Sequence, residues 1–326
     1  MEINPVLGDR RHRYGKIGIL MGGPSSEREI SLKSGKAVYE SLVGANFDVT
    51  AVDIQSDNKE ENINLLKPLG IDCAFIALHG RFGEDGQIQS ILDALGITYT
   101  GSGEESSRLA MDKIASHRIF SDNALPAPKY EVLTKGSAVD PGAILKTFGL
   151  PVVVKPATHG SSVGLTIVDK MEDFKEALRL AFSFDDRILV EEYIKGREMT
   201  VGILDDKALP VIEILPKNRF FDFEAKYKAG MTDYIVPAQI SERDFAKIQE
   251  AALRAHRLLG CYGCSRVDVI LPKTGLPFVL EVNTIPGLTA TSLLPKAAKT
   301  VGIDFNTLCL KLIKLAYEKK QESIKP

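Results

Sequence analysis

The sequence predicts a protein of mixed α/β and α+β class, in which an N-terminal parallel α/β domain precedes two modules rich in antiparallel strands. Three observations carry this expectation. The 326 residues are about twice the roughly 150 typical of one domain, so more than one hydrophobic core is expected. From Lys16 to Gly101, apolar β-like runs alternate with helix-like stretches, the pattern of a parallel sheet. Beyond Lys113, strands follow one another with few helices between them. Composition narrows the function. With 41 basic against 43 acidic residues the net charge is −2, which argues against a nucleic-acid binder. No apolar run approaches the roughly 18 residues of a membrane span, and MEINPVLGDRRHRYGK lacks the apolar core of a signal peptide, so a cytoplasmic protein without a membrane partner is expected. Four cysteines are too few for a disulfide framework.

The elements follow in order. Residues 1–15 are polar, cluster Arg10, Arg11 and Arg13, and read as a mobile extension. Domain 16–112 holds the strand KIGILMGG, a serine-capped helix REISLKSGKAVYESLVG, the strands FDVTAVDI and CAFIALHG, and GQIQSILDALGITYTG. A boundary is expected between Gly101 and Lys113, after which a helix leads into the proline-bearing linker LPAPKYEVL. Domain 113–197 reads as strand PVVVKP, Gly/Ser loop THGSSVG, strand LTIV, helix MEDFKEALRLAF and strand RILVEEYI. Domain 198–326 contributes the strands MTVGIL, ALPVIEIL, RVDVIL and PFVLEVN, the helix SERDFAKIQEAALRAHRLLG and a last helix near the C-terminus. Within it, residues 217–235 form a polar, aromatic, glycine-containing stretch without sustained periodicity, as lids do.

SRVDVILPKTGLPFVLEVN carries the strongest chemical signal. Its two strands are joined by a Pro/Gly turn, and period two puts Arg266, Asp268, Glu281 and Asn283 on one face, with valines and leucine on the other. A turn near Thr274 sets Asp268 opposite Glu281, where like charges repel unless a cation lies between them. Carboxylate and amide oxygens suit Mg²⁺ whose remaining ligands are phosphates; the alternative is a solvated outer face. Lys155 ends an apolar strand and needs an anion, and the glycines and Ser161 and Ser162 after it can fold backbone N–H groups over phosphate. The same GSSVG satisfies the esterase elbow pattern, but a strand rather than a helix follows the serine. Glu191, Glu192 and Glu198 can accept from an adenine amino group or ribose hydroxyls, or be surface glutamates. Glu27, at the start of the first helix, can hold an ammonium. His79 ends a buried strand where ligands sit in α/β sheets, or is a satisfied structural histidine. In the lid, Lys226 can reach a terminal phosphate and Tyr227 a substrate. Cys261 and Cys264 lack the second pair a zinc site needs and are expected in the core. Neither a dinucleotide fingerprint nor a P-loop is present.

Taken in order, GGPSSEREIS, HGRFGEDG, VKPATHGSSVG, FDFEAKY, SRVDV and EVNTIPGLTATSLLP resemble the successive signatures of the D-alanine:D-alanine ligases of the ATP-grasp superfamily, over residues 16 to 320. The resemblance implies a three-domain ATP-grasp architecture with an N-terminal parallel α/β (pre-ATP-grasp) domain, ATP and two Mg²⁺ as cofactors with Mn²⁺ able to substitute, and a homodimer. It implies that D-alanyl-D-alanine forms from two D-alanines for the bacterial cell wall. Lys113 and Lys155 then bind phosphate; Glu191, Glu192, Ile194 and Glu198 bind adenosine, with Ser162 nearby; Asp268, Glu281 and Asn283 hold metal. Arg266 and the Gly287 backbone stabilise the tetrahedral intermediate. Glu27, Ser161 and Tyr227, with His79 beside them, surround the first D-alanine, and Ser292 and Lys226 face the second substrate and the transferred phosphate. Phe221 and Phe223 stand where the family often has tyrosine, and Pro24 where threonine is common; Tyr227 favours the dipeptide over a D-lactate product. A D-alanine:D-lactate or L-amino-acid ligase and a non-catalytic nucleotide-binding regulator are the alternatives.

Overall fold

A computed structural model describes residues 14–222, 225, 226, 228, 230–289 and 291–324, with side chains described to 321. The chain begins with β1 (Ile17–Gly22), α1 (Arg28–Gly44), β2 (Val49–Ile54), α2 (Lys59–Leu66), β3 (Cys73–Ile76), α3 (Gln87–Ala94), β4 (Thr98–Tyr99) and α4 (Glu104–Met111). Its four strands pair in parallel in the order β2-β1-β3-β4. Every residue of β1 and β3 is buried, as a parallel strand covered on both faces requires. Glu27 occupies the cap position of α1 without a side-chain cap bond of its own; the serine contribution comes from Ser25 just before it, whose hydroxyl accepts from the Glu27 N–H at 3.2 Å while donating to the His79 carbonyl at 2.6 Å.

The middle unit comprises α5 (Lys113–Asp122), β5 (Tyr130–Thr134), α6 (Pro141–Phe148), β6 (Val152–Pro156), β7 (Thr166–Val168), α7 (Met171–Phe182) and β8 (Arg187–Glu192). Its sheet runs β5-β8-β6-β7 with every pairing antiparallel. Asp112 caps α5, accepting from the N–H groups of Ile114 and Ala115. Lys113 is thus the first helical residue, where the helix dipole disfavours a cation unless an anion faces it.

The last unit holds β9 (Arg197–Leu204), β10 (Lys207–Ala208), β11 (Ile212–Pro216), β12 (Thr232–Ile235), α8 (Glu242–Leu258), β13 (Cys264–Leu271), β14 (Phe278–Asn283), α9 (Leu293–Thr300) and α10 (Phe305–Ile324). The antiparallel order is β12-β11-β9-β13-β14, with β10 on β9. Residues 232–235, counted with the lid in sequence, pair with β11 as an edge strand, so the loop ends at 231. Ile248, Ala251, Ala252 and Ala255 of α8 bury one face of the sheet against Val267, Val269, Val279 and Val282. That leaves the opposite face of β13 and β14 for charge. Asp268 stands opposite Glu281 and Arg266 opposite Asn283, as the sequence period requires, and a bulge follows Asp268. Helix α10 returns to the first unit: Leu308, Leu312, Ile313 and Ala316 share a core with Ile17, Val38, Leu42 and Phe75. The N-terminal sheet is thus covered by the end of the chain, an arrangement that the sequence boundaries alone do not convey. Cys261 and Cys264 are buried, and burial pushes both thiols up to about 12. Among the described residues, no helix is long and apolar enough to cross a membrane.

Beneath the third sheet, His256 Nδ1 lies 2.7 Å from the Ser265 hydroxyl, and burial lowers the imidazole from its ordinary value of 6.5 to about 4. The folded state therefore excludes a proton that the unfolded chain accepts. Its contribution is complete above pH 6.5 and is lost as pH falls towards 4, an effect of about 2–3 kcal/mol. The stability difference between the parent protein and His256→Asn, from denaturant midpoints, should shrink by that order between pH 7 and pH 4. A pH-independent difference would contradict the neutral buried histidine.

Candidate nucleotide and substrate cleft

Two adjoining cavities, of about 510 and about 140 Å³, lie between the three units and share Lys113, Phe221, Lys226 and Glu281 in their walls. The smaller is walled by the middle and last sheets. It gathers Lys155, Ser162, Glu191, Glu192, Ile194, Glu198 and Asp268, all expected at a nucleotide site. The larger opens towards the N-terminal unit and gathers Glu27, His79, Ser161, Arg266, Asn283, Gly287 and Ser292. Every described candidate from the sequence therefore lines one cavity or the other. Tyr227 and Phe223 lie outside the described residues, as do residues 1–13 of the N-terminal extension.

Lysine–carboxylate pairs organise the wall between the sheets. Lys155, brought in by the apolar strand β6, is buried and lies 2.8 Å from Glu191 on β8. Lys113 Nζ donates to the His159 carbonyl at 2.7 Å and lies 3.5 Å from Glu281. Burial lowers its pKa against the pull of Glu281. Burial likewise opposes ionisation of Glu281, yet Lys113, Lys226, Lys155 and Arg266 hold that carboxyl down to about 2. Glu198 differs: burial, reinforced by Asp268, pushes it up to about 7 despite the Phe221 N–H and Lys226.

Arg266 forks onto both oxygens of Asp268 at 2.9 and 2.8 Å, and the Thr200 hydroxyl donates to the same carboxylate at 2.6 Å. Asn283 Oδ1 accepts from the Ile285 N–H at 3.0 Å. An ionised, half-buried glutamate, an aspartate with oxygen lone pairs beyond those occupied and an amide oxygen, on neighbouring strands, form a hard donor set suited to a divalent cation. Among the described residues no group of three or more His, Cys, Asp or Glu gathers for a metal, so further ligands must come from elsewhere, as phosphate oxygens do.

The loop after β6 is held at its start by Asp185, which accepts from both the N–H and the hydroxyl of Thr158. Ser161 and Ser162 both have positive φ, at 52° and 59°, an uncommon backbone for serine. That turn points their hydroxyls to different units: Ser161 donates to Glu27, and Ser162 donates to the Phe221 carbonyl at 3.0 Å. Strand β7 follows, not a helix, which removes the esterase reading. The segment after β11 thus meets this loop through a backbone carbonyl, and Phe221 adds its ring beneath Lys226 at 5.4 Å and against Tyr234 at 6.4 Å.

Towards the N-terminal unit, His79 is buried between the Ser34 hydroxyl, 2.9 Å from Nε2, and Glu84, 3.4 Å from Nδ1. Burial raises Glu84, with His79 opposing. Ser34 also accepts from the Leu288 N–H at 3.3 Å, linking this helix to the loop after β14. A Cβ on Gly287 would lie 2.8 Å from the Ser292 hydroxyl oxygen, so a larger residue there would make that hydroxyl shift. Sequence reasoning missed Ser34, Glu84 and Thr200. Glu84 was detectable within HGRFGEDG; Ser34 and Thr200 carry no local signal, because each acts through a residue far away in the chain.

Two facing antiparallel sheets over a lysine-lined cleft, with a parallel α/β unit at one mouth, define the class: an ATP-grasp protein. Residues 16–67 and 56–102 match the family described as D-ala D-ala ligase N-terminus, and 119–314 match D-ala D-ala ligase C-terminus. The chain is 48% identical over 302 residues to a D-alanine–D-alanine ligase of Geotalea uraniireducens, covering 92% of this chain and 95% of that one. It is 47% identical over 312 residues to one of Pelotomaculum thermopropionicum, covering 93% and 97%. The D-alanine–D-alanine ligase of Bacillus anthracis complexed with ATP superposes with a TM-score of 0.83 at 33% identity, over 94% of this chain and 99% of that one. VanG D-Ala:D-Ser ligase of Enterococcus faecalis superposes with a TM-score of 0.80 at 31% identity, over 93% and 100%. This chain belongs to the D-alanine–D-alanine ligase family.

Removing one member of a buried ion pair strands the other, whereas removing both is close to neutral. Lys113→Met should lower stability by about 1–3 kcal/mol, discounted because Glu281 retains 24% side-chain exposure, and Lys113→Met/Glu281→Gln should recover most of that loss in chemical denaturation. Strictly additive losses would mean that the two charges do not interact.

Proposed function

We propose that this cleft joins two D-alanines into D-alanyl-D-alanine at the expense of ATP, by way of a D-alanyl phosphate, for the bacterial cell wall. The observation that carries the reading is the Lys113–Glu281 pair, which stands where a nucleotide-sized pocket meets a larger substrate cleft. A carboxylate is a poor acyl donor until its oxygen becomes part of a good leaving group, and a γ-phosphoryl placed at that junction supplies one.

In this reading Glu191, Glu192, Ile194 and Glu198 receive adenine and ribose, while Lys155, Lys113 and the loop bearing Ser162 receive phosphates. Asp268, Glu281 and Asn283 would hold two Mg²⁺ ions, replaceable by Mn²⁺, which supply Lewis-acid neutralisation of charge on the transferring phosphoryl group. Glu27, already bonded to Ser161, takes the ammonium of the first D-alanine together with Tyr227, with His79 alongside. The carboxylate of that D-alanine attacks the γ-phosphorus and ADP leaves. The amine of the second D-alanine, placed by Ser292 and Lys226, then attacks the acyl carbon. Arg266 and the Gly287 N–H stabilise the oxyanion before phosphate departs and the amine gives up its proton. The lid, latched by Ser162 to Phe221, keeps water from the acyl phosphate. Cytoplasmic location, small-molecule partners rather than nucleic acid or membrane, and pairing of two copies as a homodimer complete the reading and rest on the family resemblance.

Purified protein with ATP and Mg²⁺ should release phosphate on addition of D-alanine but not L-alanine, and chelation of the metal should abolish the release. Glu281→Gln should lower turnover by more than about a hundred-fold. Turnover with another acid in place of D-alanine, or wild-type rates in Glu281→Gln, would overturn the assignment. The VanG likeness makes the second substrate a separate question. Tyr227→Phe should let D-lactate or D-serine compete with D-alanine as acceptor, read by mass spectrometry of the products. An unchanged product ratio would remove Tyr227 from acceptor selection.

A further inference from the structure

Behind the nucleotide cavity lies a side chain that none of the sequence motifs contains. His117, on α5, is 1% exposed, and its ring reaches both the middle sheet and the last one. Nε2 lies 3.0 Å from the Leu280 carbonyl oxygen. A carbonyl only accepts, so Nε2 carries the proton. Leu280 is the extra residue of the β14 bulge: Asp268 pairs with Glu281 and Val269 with Val279, so Leu280 faces no partner on β13. The histidine therefore holds the carbonyl that the bulge releases, immediately before Glu281.

On the other side, Nδ1 lies 3.5 Å from Oε1 of Glu191, whose Oε2 contacts Lys155 at 2.8 Å. Among the described residues neither Nδ1 nor that Oε1 has a hydrogen-bond partner, although both are buried. Burial lowers the imidazole pKa against the opposing pull of Glu191, so the ring is neutral and Nδ1 presents a lone pair. An acceptor facing an acceptor forms no bond, so the ion pair of this carboxylate is the one with Lys155. The ring is fixed by edge contact with Tyr130 at 5.4 Å and by Phe120 at 6.2 Å.

We propose that His117 is a positioning residue for the nucleotide and metal side of the cleft: it fixes the β14 bulge that aims Glu281 and backs the Lys155–Glu191 pair across the cavity. One ring thereby sets the spacing of two walls that come from different sheets. It touches neither amino-acid subsite, so its effect is confined to ATP and metal. This rests on the reading of the smaller cavity as the ATP site.

The test is steady-state phosphate release by the full chain, with ATP, Mg²⁺ and D-alanine varied in turn. His117→Phe keeps the ring packing and removes both nitrogens. It should raise the KM for ATP and the Mg²⁺ concentration for half-maximal rate by about ten-fold or more, with the KM for D-alanine within about two-fold of the parent. His117→Gln, whose amide reaches Leu280, should restore most of the ATP and Mg²⁺ response; His117→Asn, too short to reach it, should not. Wild-type ATP and Mg²⁺ responses in His117→Phe would overturn the proposal, as would a D-alanine KM that rises in parallel with that for ATP. If His117→Phe does not fold, the Gln and Asn variants decide, and equal behaviour of the two overturns it. A parent protein that releases no phosphate counts instead against the ligase reading.

Discussion

Lys113 and Glu281 stand 3.5 Å apart at the junction of two cavities, and Lys155 and Glu191 stand 2.8 Å apart beside them. Such pairs gain little for a fold, because desolvating both charges offsets most of their attraction. Here Lys155, Glu191 and Glu281 sit on strands whose other faces are apolar and packed beneath helices, and Lys113 opens α5, so the hydrophobic cores carry the stability and the charges are left to the cleft. The placement has a consequence for ligands. Several cations hold Glu281 ionised, at about 2, in a half-buried position, which leaves a hard anionic oxygen suited to a divalent cation and lysines suited to phosphate.

Besides the core shared by the first and last units, specific hydrogen bonds join the three units around the cleft. Ser161 to Glu27 joins the middle unit to the first, Ser162 to Phe221 joins it to the lid, and Ser34 to Leu288 joins the first unit to the last. The two serines of the loop achieve this through adjacent positive-φ residues, strain of a kind found at sites where geometry serves binding. Each bond connects a residue of one wall to a residue of another.

The hairpin of Asp268 and Glu281 was legible in sequence because a β-strand writes its two faces into alternate letters; the register matches that pattern at Arg266–Asn283 and Asp268–Glu281, but the bulge then puts Val279 in the core and Leu280 at the cleft, against the strict alternation. The parallel first sheet was legible for the same kind of reason, with turns separating apolar runs. Legibility failed where a role depends on distant partners. Ser25 accepts from the Glu27 N–H at the start of the helix and also bonds the distant His79 carbonyl, which the local sequence does not show, and α10 reads as part of the last domain but completes the core of the first. Thr232 to Ile235 reads as loop because one short edge strand offers too few residues to show a period. His117 has no signal at all: its meaning comes from a bulge in β14 and a carboxylate on β8.

Fold likeness alone leaves the acceptor open, since VanG D-Ala:D-Ser ligase shares this architecture. What the described cleft constrains is the activation step, a polyanion and a cation brought to one carboxylate-bearing face. Calorimetric titration of ATP into the protein, with saturating Mg²⁺ and again with a chelator, tests that constraint most directly. Affinity is expected to fall by at least about ten-fold when the cation is withheld, because Glu281 and Asp268 then face the triphosphate unscreened. Equal affinity with and without the cation would contradict the role assigned to the hairpin.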